Sequence, residues 1–258
     1  RGKCFSCSES LISLREADLS TCSWEDGSIT TAPGFAEAYG KLVESGWNGI
    51  GFPEVYGGGG FPQLLATAVE EMTTTANMAF ALGPLLSRGA IEAIMYHGDE
   101  SQKEIYLQKL VSGEWTGTMN LTEPHAGSDV GALTSKAEPA DDGTWRIFGQ
   151  KIFITWGEHD VADNIVHLVL ARTPGSPPGT RGISLFIVPK FLVNDDGTLG
   201  QRQALRHQPS QARWPAGPNF RLLPTAAARA ASAGAGEQRP GRGRGGLTAR
   251  CPSDGVLI

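Results

Sequence analysis

Cysteine is scarce in this 258-residue chain: Cys4, Cys7, Cys22 and Cys251 are the full set, and none lies between Ser23 and Arg250. The body of the chain is therefore not a disulfide-stapled scaffold, which suits a reducing, cytoplasmic setting. Cys4 and Cys7 form a C-x-x-C, but no second pair, histidine cluster or βαβ pattern accompanies them, so no metal site and no redox motif is expected. No apolar run approaches the roughly 18 residues of a membrane span, and no charged-then-apolar leader is visible. Lysine is missing from residue 201 onward, where nine arginines face only Glu237 and Asp254, a net +7. The first 200 residues then carry −12 of the overall −5, so the averages describe neither part. An acidic body gives no pull toward nucleic acid or an anionic surface. The arginine-rich end has one aromatic pair, Trp214 and Phe220, and no pattern to present it to RNA.

Residues 1–30 have weak pattern and read as a tail or lead-in segment. From Pro33 a helical period appears, with Phe35, Ala38, Leu42 and Val43 spaced by three and four and Gly46 placed to stop the helix. The stretch QLLATAVEEMTTTANMAFAL reads as a second, longer helix, and Pro84 suits the first turn of a third that ends at His97. Asp99 with Gln102 is a capping box opening a fourth helix that stops near Gly113. At Trp115 the period changes to short β-branched and aromatic runs separated by turn residues, which predicts an antiparallel sheet or barrel. The expected fold is α+β: an all-α helical domain over 31–114, a β domain over 115–200, and a disordered Arg/Ala/Gly/Pro-rich tail over 201–258.

The four glycines at 57–60 do not make a phosphate loop, because Pro53 precedes them, Phe61-Pro62 follow, and the strand and Lys-Ser/Thr of such a loop are missing. They read as a turn between helices. More informative is MNLTEPHAGSD, Met119 to Asp129. A strand that ends and then turns through Ala126-Gly127-Ser128 gathers backbone N–H groups and two hydroxyls, a cluster able to bind phosphates or the pyrimidine edge of a flavin. An ordinary strand-end turn has the same pattern.

LTEPHAGSD resembles the T-E-P-x-A-G-S-D signature of the acyl-CoA dehydrogenase family. KIFITWGEHD is similar to that family's second flavin-contacting strand, GFPEVYGGGGFP to its P-E-x-x-G-G-x-G turn, and YHGDESQKEIYLQKLVSGEWTGTMNLTEP to its link into the β domain. The four matches occur in family order over 33–200, and several stretches resemble in particular the branch containing the 3-methylmercaptopropionyl-CoA dehydrogenases. The resemblance implies an FAD-dependent α,β-dehydrogenation of an acyl-CoA thioester, with electrons passed to an electron-transfer flavoprotein and a homo-oligomer at full length. Met119, Leu121 and Thr122 would contact the isoalloxazine, Gly127 and Ser128 the turn, and Phe153, Ile154 and Thr155 the second flavin strand. Ser128 would also touch the acyl-CoA, and Thr173 its CoA portion. Met119, Leu121, Phe153 and Ile154 have the alternative of plain β-domain core. Glu123 is expected to be structural, and His97, His125, His159 and His167 are assigned no role.

No catalytic residue is expected within the chain, because the family's glutamate base lies in a second helical domain and the resemblance stops near residue 201. That change is read as a reading-frame shift, with a native disordered extension as the alternative, and the Arg1 start as the mark of a fragment or a processed product. The chain alone is then expected to bind FAD poorly and not to turn over. An acyl-CoA oxidase and a non-catalytic acyl-CoA- or partner-binding remnant of a dehydrogenase are the other readings.

Overall fold

The computed structural model describes residues 22–203 except Asp26, Asp142 and Asp195, together with the strand segments 206–208, 211–214 and 221–222. Cys4, Cys7 and Cys251 and the rest of the tail lie outside the described residues, and Cys22 is an exposed free thiol. A short hairpin, β1 (Ser23–Glu25) and β2 (Ser28–Thr30), leads into four helices: α1 (Phe35–Glu44), α2 (Gln63–Ala76), α3 (Met78–His97) and α4 (Glu100–Ser112). Gly46, left-handed at φ 74, ends α1 as its position predicts. At α4, Gln102 N donates to Asp99 Oδ1 at 2.8 Å and Asp99 N to Gln102 Oε1 at 3.1 Å, the reciprocal cap foreseen from the spacing.

The middle of the helical part differs from its expected division. The second helix ends at Ala76, not near Leu82, because Asn77 turns extended and its side chain accepts Phe80 N at 3.0 Å, capping a new helix. Pro84 then sits inside α3 rather than in its first turn and costs the helix one hydrogen bond. By length and composition α3 could cross a membrane. One face of it is covered by protein, at Phe80, Ala81, Gly83, Ser87, Ala90, Ile91 and Ile94, while Met78, Leu85 and Tyr96 are exposed.

The β strands are β3 (Trp115–Asn120), β4 (Lys136–Pro139), β5 (Trp145–Ile152), β6 (Asn164–Arg172), β7 (Ile183–Pro189), β8 (Phe191–Val193), β9 (Leu199–Arg202), β10 (Arg206–Gln208), β11 (Gln211–Trp214) and β12 (Arg221–Leu222). The main sheet runs β10-β11-β5-β4-β6-β7-β12, with β3 added to β6, while β8 and β9 form a separate hairpin. Most pairs are antiparallel, as foreseen, but β3 pairs β6 in parallel from Trp115↔Asn164 to Asn120↔Val169. Parallel pairing needs a long crossover, and residues 121–163, holding β4 and β5, supply it. The sheet also continues past the expected boundary at residue 200, since β11 pairs β5 and β12 pairs β7.

Alternation along β6 divides the core in two. Val166 and Leu168 join Ile91, Ile94, Leu107, Leu110, Trp115 and Ile187 in a core shared by helices and sheet, whereas Val169 and Ala171 join Ala137, Ile147, Phe186 and Val188 on the opposite face. A strand covered on both faces reads as a continuous apolar run, as NIVHLVLA does. The helical layer has a small cluster of its own, Ala38, Tyr39, Leu42 and Phe80, but its larger contact is with the sheet: α3 lies flat on β3, where a Cβ on Gly117 would stand 2.4 Å from Ala90 Cβ. Gly117 N also donates to Ser87 Oγ at 3.0 Å. Gly117→Ala is expected to destabilise the chain by about 1–3 kcal/mol through overpacking, and Ala90→Gly in the same chain to recover part of it. Denaturant unfolding of the two single variants and the double variant measures this, and strict additivity would contradict the contact.

Candidate functional site

β3 carries Met119 to the edge of the shared core, and the chain then leaves the sheet through Leu121 and Thr122, both half-buried. Glu123 and Ala126 exchange both backbone hydrogen bonds, at 2.9 and 3.0 Å, closing a tight turn over Pro124 and His125. Gly127 and Ser128 follow as exposed residues. The hydroxyls of Thr122 and Ser128 and the amides of Gly127 and Ser128 engage no protein partner among the described residues.

What holds this turn is a buried carboxylate. Glu123 is 2% exposed, and its Oε1 accepts from Lys151 Nζ at 2.7 Å, Ser135 N at 3.1 Å and Ser135 Oγ at 2.5 Å. Its Oε2 accepts from Thr134 N at 2.7 Å and Thr134 Oγ1 at 3.1 Å. Lys151 is fully buried and donates as well to Leu121 O at 3.1 Å, and Ile152 N reaches Thr122 O at 2.9 Å. Burial alone would raise the Glu123 pKa, but the Lys151 ammonium, the Ser135 hydroxyl and the Thr134 amide outweigh it and bring the group to about 2. Burial pushes Lys151 downward against the opposing pull of Glu123. A carboxylate so held is no proton acceptor near neutrality, in keeping with its expected structural role.

The second predicted segment lies beside the first but is not a strand. β5 ends at Ile152, and Phe153 turns left-handed at φ 59 with 78% of its surface exposed, because positive φ breaks the pleat on which period-two alternation depends. Ile154 packs on the second core, so for this residue the core alternative also holds. Thr155 is exposed, and its carbonyl accepts Thr118 Oγ1 at 2.7 Å, a direct bond between β3 and this turn. Trp156 has φ 53, a second non-glycine left-handed residue, each such residue costing about 1–2 kcal/mol.

Thr173 opens the loop after β6, next to Arg172. The Arg172 guanidinium donates to the carbonyls of Leu133 at 3.0 Å, Gly131, Pro177 at 3.0 Å and Gly179 at 2.9 Å, lacing the segment that follows Ser128 to the segment that follows Thr173. Thr118, Lys151, Trp156 and Arg172 were not singled out by the sequence reading. The available signal was Lys151, which alternates onto the same strand face as Ile147 and Gly149, with a lone acid in the turn it serves.

His159 is buried and neutral: burial, with the Lys190 charge behind it, lowers its pKa to about 3. Val161 N donates to its Nδ1 at 3.3 Å, so Nε2 carries the proton toward Thr116 Oγ1 at 2.9 Å. The GGGG turn folds back on itself, Gly58, Gly59 and Gly60 donating to the carbonyls of Pro53, Gly49 and Phe52, which leaves those amides unavailable to a phosphate. A cavity of about 180 Å³ between α1, α2 and α3 is lined by residues such as Leu42, Ile50, Val69, Met78 and Leu85 and touches none of the predicted site residues. No cluster of metal-ligating side chains occurs among the described residues.

The Glu123 pair makes two measurable demands. Because the carboxylate's folded pKa lies below its ordinary 4.5, its contribution is complete above that value and is lost as pH falls toward about 2. Wild-type stability is expected to decline across that window, and a Glu123→Gln variant to lose that component. Lys151→Met, which strands a buried carboxylate, is expected to cost about 3–5 kcal/mol, and Glu123→Gln added to it to restore part. Denaturant melts at pH 7 and pH 3 check both, and a Lys151→Met chain as stable as wild type would contradict the pairing.

Comparison with known proteins agrees with this geometry. The family model "Acyl-CoA dehydrogenase, N-terminal domain" matches residues 23–114, and "Acyl-CoA dehydrogenase, middle domain" matches 118–208. A 3-methylmercaptopropionyl-CoA dehydrogenase of Ruegeria pomeroyi is 50% identical over 181 residues, covering 70% of this chain and 31% of that protein. A butyryl-CoA dehydrogenase of Syntrophomonas wolfei is 44% identical over 190 residues, covering 72% and 31%. The solved butyryl-CoA dehydrogenase of Megasphaera elsdenii superposes with a TM-score of 0.58 at 26% identity, covering 74% of this chain and 50% of that one. The chain spans about a third of the length of these two curated relatives. From its turn signature through its helix-on-sheet architecture, the chain belongs to the acyl-CoA dehydrogenase family and carries that family's N-terminal and middle domains.

Proposed function

We propose that this chain forms the flavin-facing part of an FAD-dependent acyl-CoA dehydrogenase, acting on the Cα–Cβ bond of an acyl-CoA thioester. The observation that supports it is the juxtaposition of the Glu123-locked turn with Phe153–Thr155, which puts unengaged donors at Thr122, Gly127 and Ser128 beside an exposed aromatic ring. The donor set fits FAD: fixed amides and hydroxyls suit the acceptor atoms along one edge of a flat heteroaromatic ring, and Phe153 offers a face to pack against it. When bound, the flavin supplies the hydride acceptor for the β carbon.

The chain's own residues then hold and orient. Thr122, and Thr155 fixed by Thr118, would hold the flavin by hydrogen bonds to its ring. Ser128 stands at the turn where the thioester enters, and Thr173 reaches the CoA portion from the loop laced to that turn by Arg172. Bonds to the thioester carbonyl acidify the α proton. Glu123 is not its acceptor, because it is enclosed and its lowered pKa makes it a weak base. The names of the bacterial relatives, which refer to 3-methylmercaptopropionyl-CoA and butyryl-CoA, favour a short acyl group. An electron-transfer flavoprotein takes the electrons in this reading, and the complete enzyme is a homo-oligomer.

Titration of the full chain with FAD, followed by backbone amide chemical shifts, tests the proposal directly. Weak but saturable binding is expected, with shifts concentrated on Met119, Leu121, Thr122, Gly127, Ser128 and Phe153–Thr155. Thr122→Val is expected to weaken it by about 3- to 10-fold, the worth of one hydrogen bond. Shifts confined to the cavity between α1, α2 and α3, or none at all, would overturn the assignment.

A further inference from the structure

The turn that offers Phe153 and Thr155 is strained, and both residues are exposed. Phe153 and Trp156 are both left-handed, and Phe153 is 78% exposed, so its conformation is imposed by its neighbours. Three of these can be named. Gly157 N closes on Ile154 O at 3.2 Å, Thr118 Oγ1 holds Thr155 O at 2.7 Å, and Ile154 is rooted in the second sheet core. All three belong to the β layer.

Trp156 reaches the other way. Its indole Nε1 donates to Ala79 O at 3.0 Å, in the first turn of α3. The ring lies among Phe35 and Phe80, with centroids 6.2 Å away, and Tyr39 at 6.4 Å, and its far side meets His159 at 5.2 Å. It is also pressed onto the backbone of α3 at Gly83, where a Cβ would stand 2.5 Å from Trp156 Cε3 and 2.6 Å from Cδ2. Only a residue without a side chain leaves that notch open, and Gly83 lies one residue before the helix's proline. The same helix meets β3 at Ser87 and Ala90. One rigid element therefore gauges both the strand that carries Met119 and the turn that carries Phe153 and Thr155.

We propose that Trp156, seated in the Gly83 notch of α3, is a positioning residue that sets Phe153 and Thr155 at their distance from the strand end Met119–Thr122. It rests on the flavin reading of that strand end. Trp156 touches no substrate: it acts through the two residues that do. Displacing the indole frees the turn from the helical layer while leaving the Glu123-locked turn intact, because no bond of Glu123 or Lys151 passes through it.

The test places 4-fluorophenylalanine throughout the full chain, with the Phe153 resonance assigned by its loss in Phe153→Leu, and compares four variants. Gly83→Ala fills the notch, Trp156→Ala removes the ring, Trp156→Phe refills the notch without the bond to Ala79, and Asp99→Ala weakens the α4 cap as a stability control. Gly83→Ala and Trp156→Ala are expected to shift and broaden the Phe153 signal without ligand and to weaken FAD binding about tenfold. Trp156→Phe is expected to return most of both, and Asp99→Ala to change neither. If Gly83→Ala fails to fold, Trp156→Ala, which opens space, decides alone. A Phe153 signal unmoved in Trp156→Ala overturns the proposal, as does a moved signal with unchanged FAD affinity. If the wild-type chain shows no FAD response at all, the flavin reading falls, and the ligand-free Phe153 signal still shows whether Trp156 sets the turn.

Discussion

A carboxylate and an ammonium 2.7 Å apart inside a sheet are the constraint from which the site follows. Neither charge is tolerable there alone, since Lys151 is fully enclosed and Glu123 nearly so. The fold meets that cost with geometry: five donors converge on the carboxylate, and the ammonium also bonds Leu121 O. As a result the turn after β3 is fixed by side chains to the residues that lead into β4 and to the end of β5, in addition to the β4–β5 ladder. A turn held from within can leave its outward amides and hydroxyls unspent, and those are the groups a flavin or thioester would use.

The other ties respect the same frame. On one flank α3 lies against β3 through the Gly117–Ala90 approach and against the 153–156 turn through Trp156. On the opposite flank Arg172 laces the loop after Ser128 to the loop after Thr173 through four carbonyls. A third tie, Glu158 with Lys190 and Arg202, joins the loop after the turn to β9. The helices keep a small core of their own around Ala38, Tyr39, Leu42 and Phe80 and also complete the core of the sheet, so the site is positioned by both layers.

Much of this was legible in the sequence, for reasons that can be named. Amphipathic period and the Asp99–Gln102 cap reveal helices because they are local, whereas TEPHAGSD reveals the turn only through its resemblance to a family signature, since an ordinary strand-end turn has the same pattern. Three features were not legible. The break at Asn77 is hidden because Thr, Ala and Met fit the helical period on either side of it, and only the Asn side chain's bond to Phe80 N reveals the cap. The parallel β3–β6 pair joins segments more than forty residues apart, and no local pattern records it. The end of β5 is disguised because K-I-F-I-T alternates as a strand would, while Phe153 leaves the pleat for a left-handed conformation that no residue type there announces. The strands at 206–208, 211–214 and 221–222 lie in a stretch whose composition suggested no order, and they gain their pairing from β5 and β7 rather than from their own pattern.

Amide hydrogen exchange in a Glu123→Gln chain tests the central claim most directly, because the uncharged amide must turn its NH2 toward one set of the donors it replaces. The account predicts that the amide of Thr134 or of Ser135, whichever the new NH2 faces, exchanges at least about tenfold faster than in wild type, one lost hydrogen bond or more, that Ile152 beside it also loses protection, and that Val166, Leu168 and Ile187 in the shared core keep theirs. Unchanged protection at Thr134, Ser135 and Ile152 would contradict it, since the turn would then be held by something other than the buried pair.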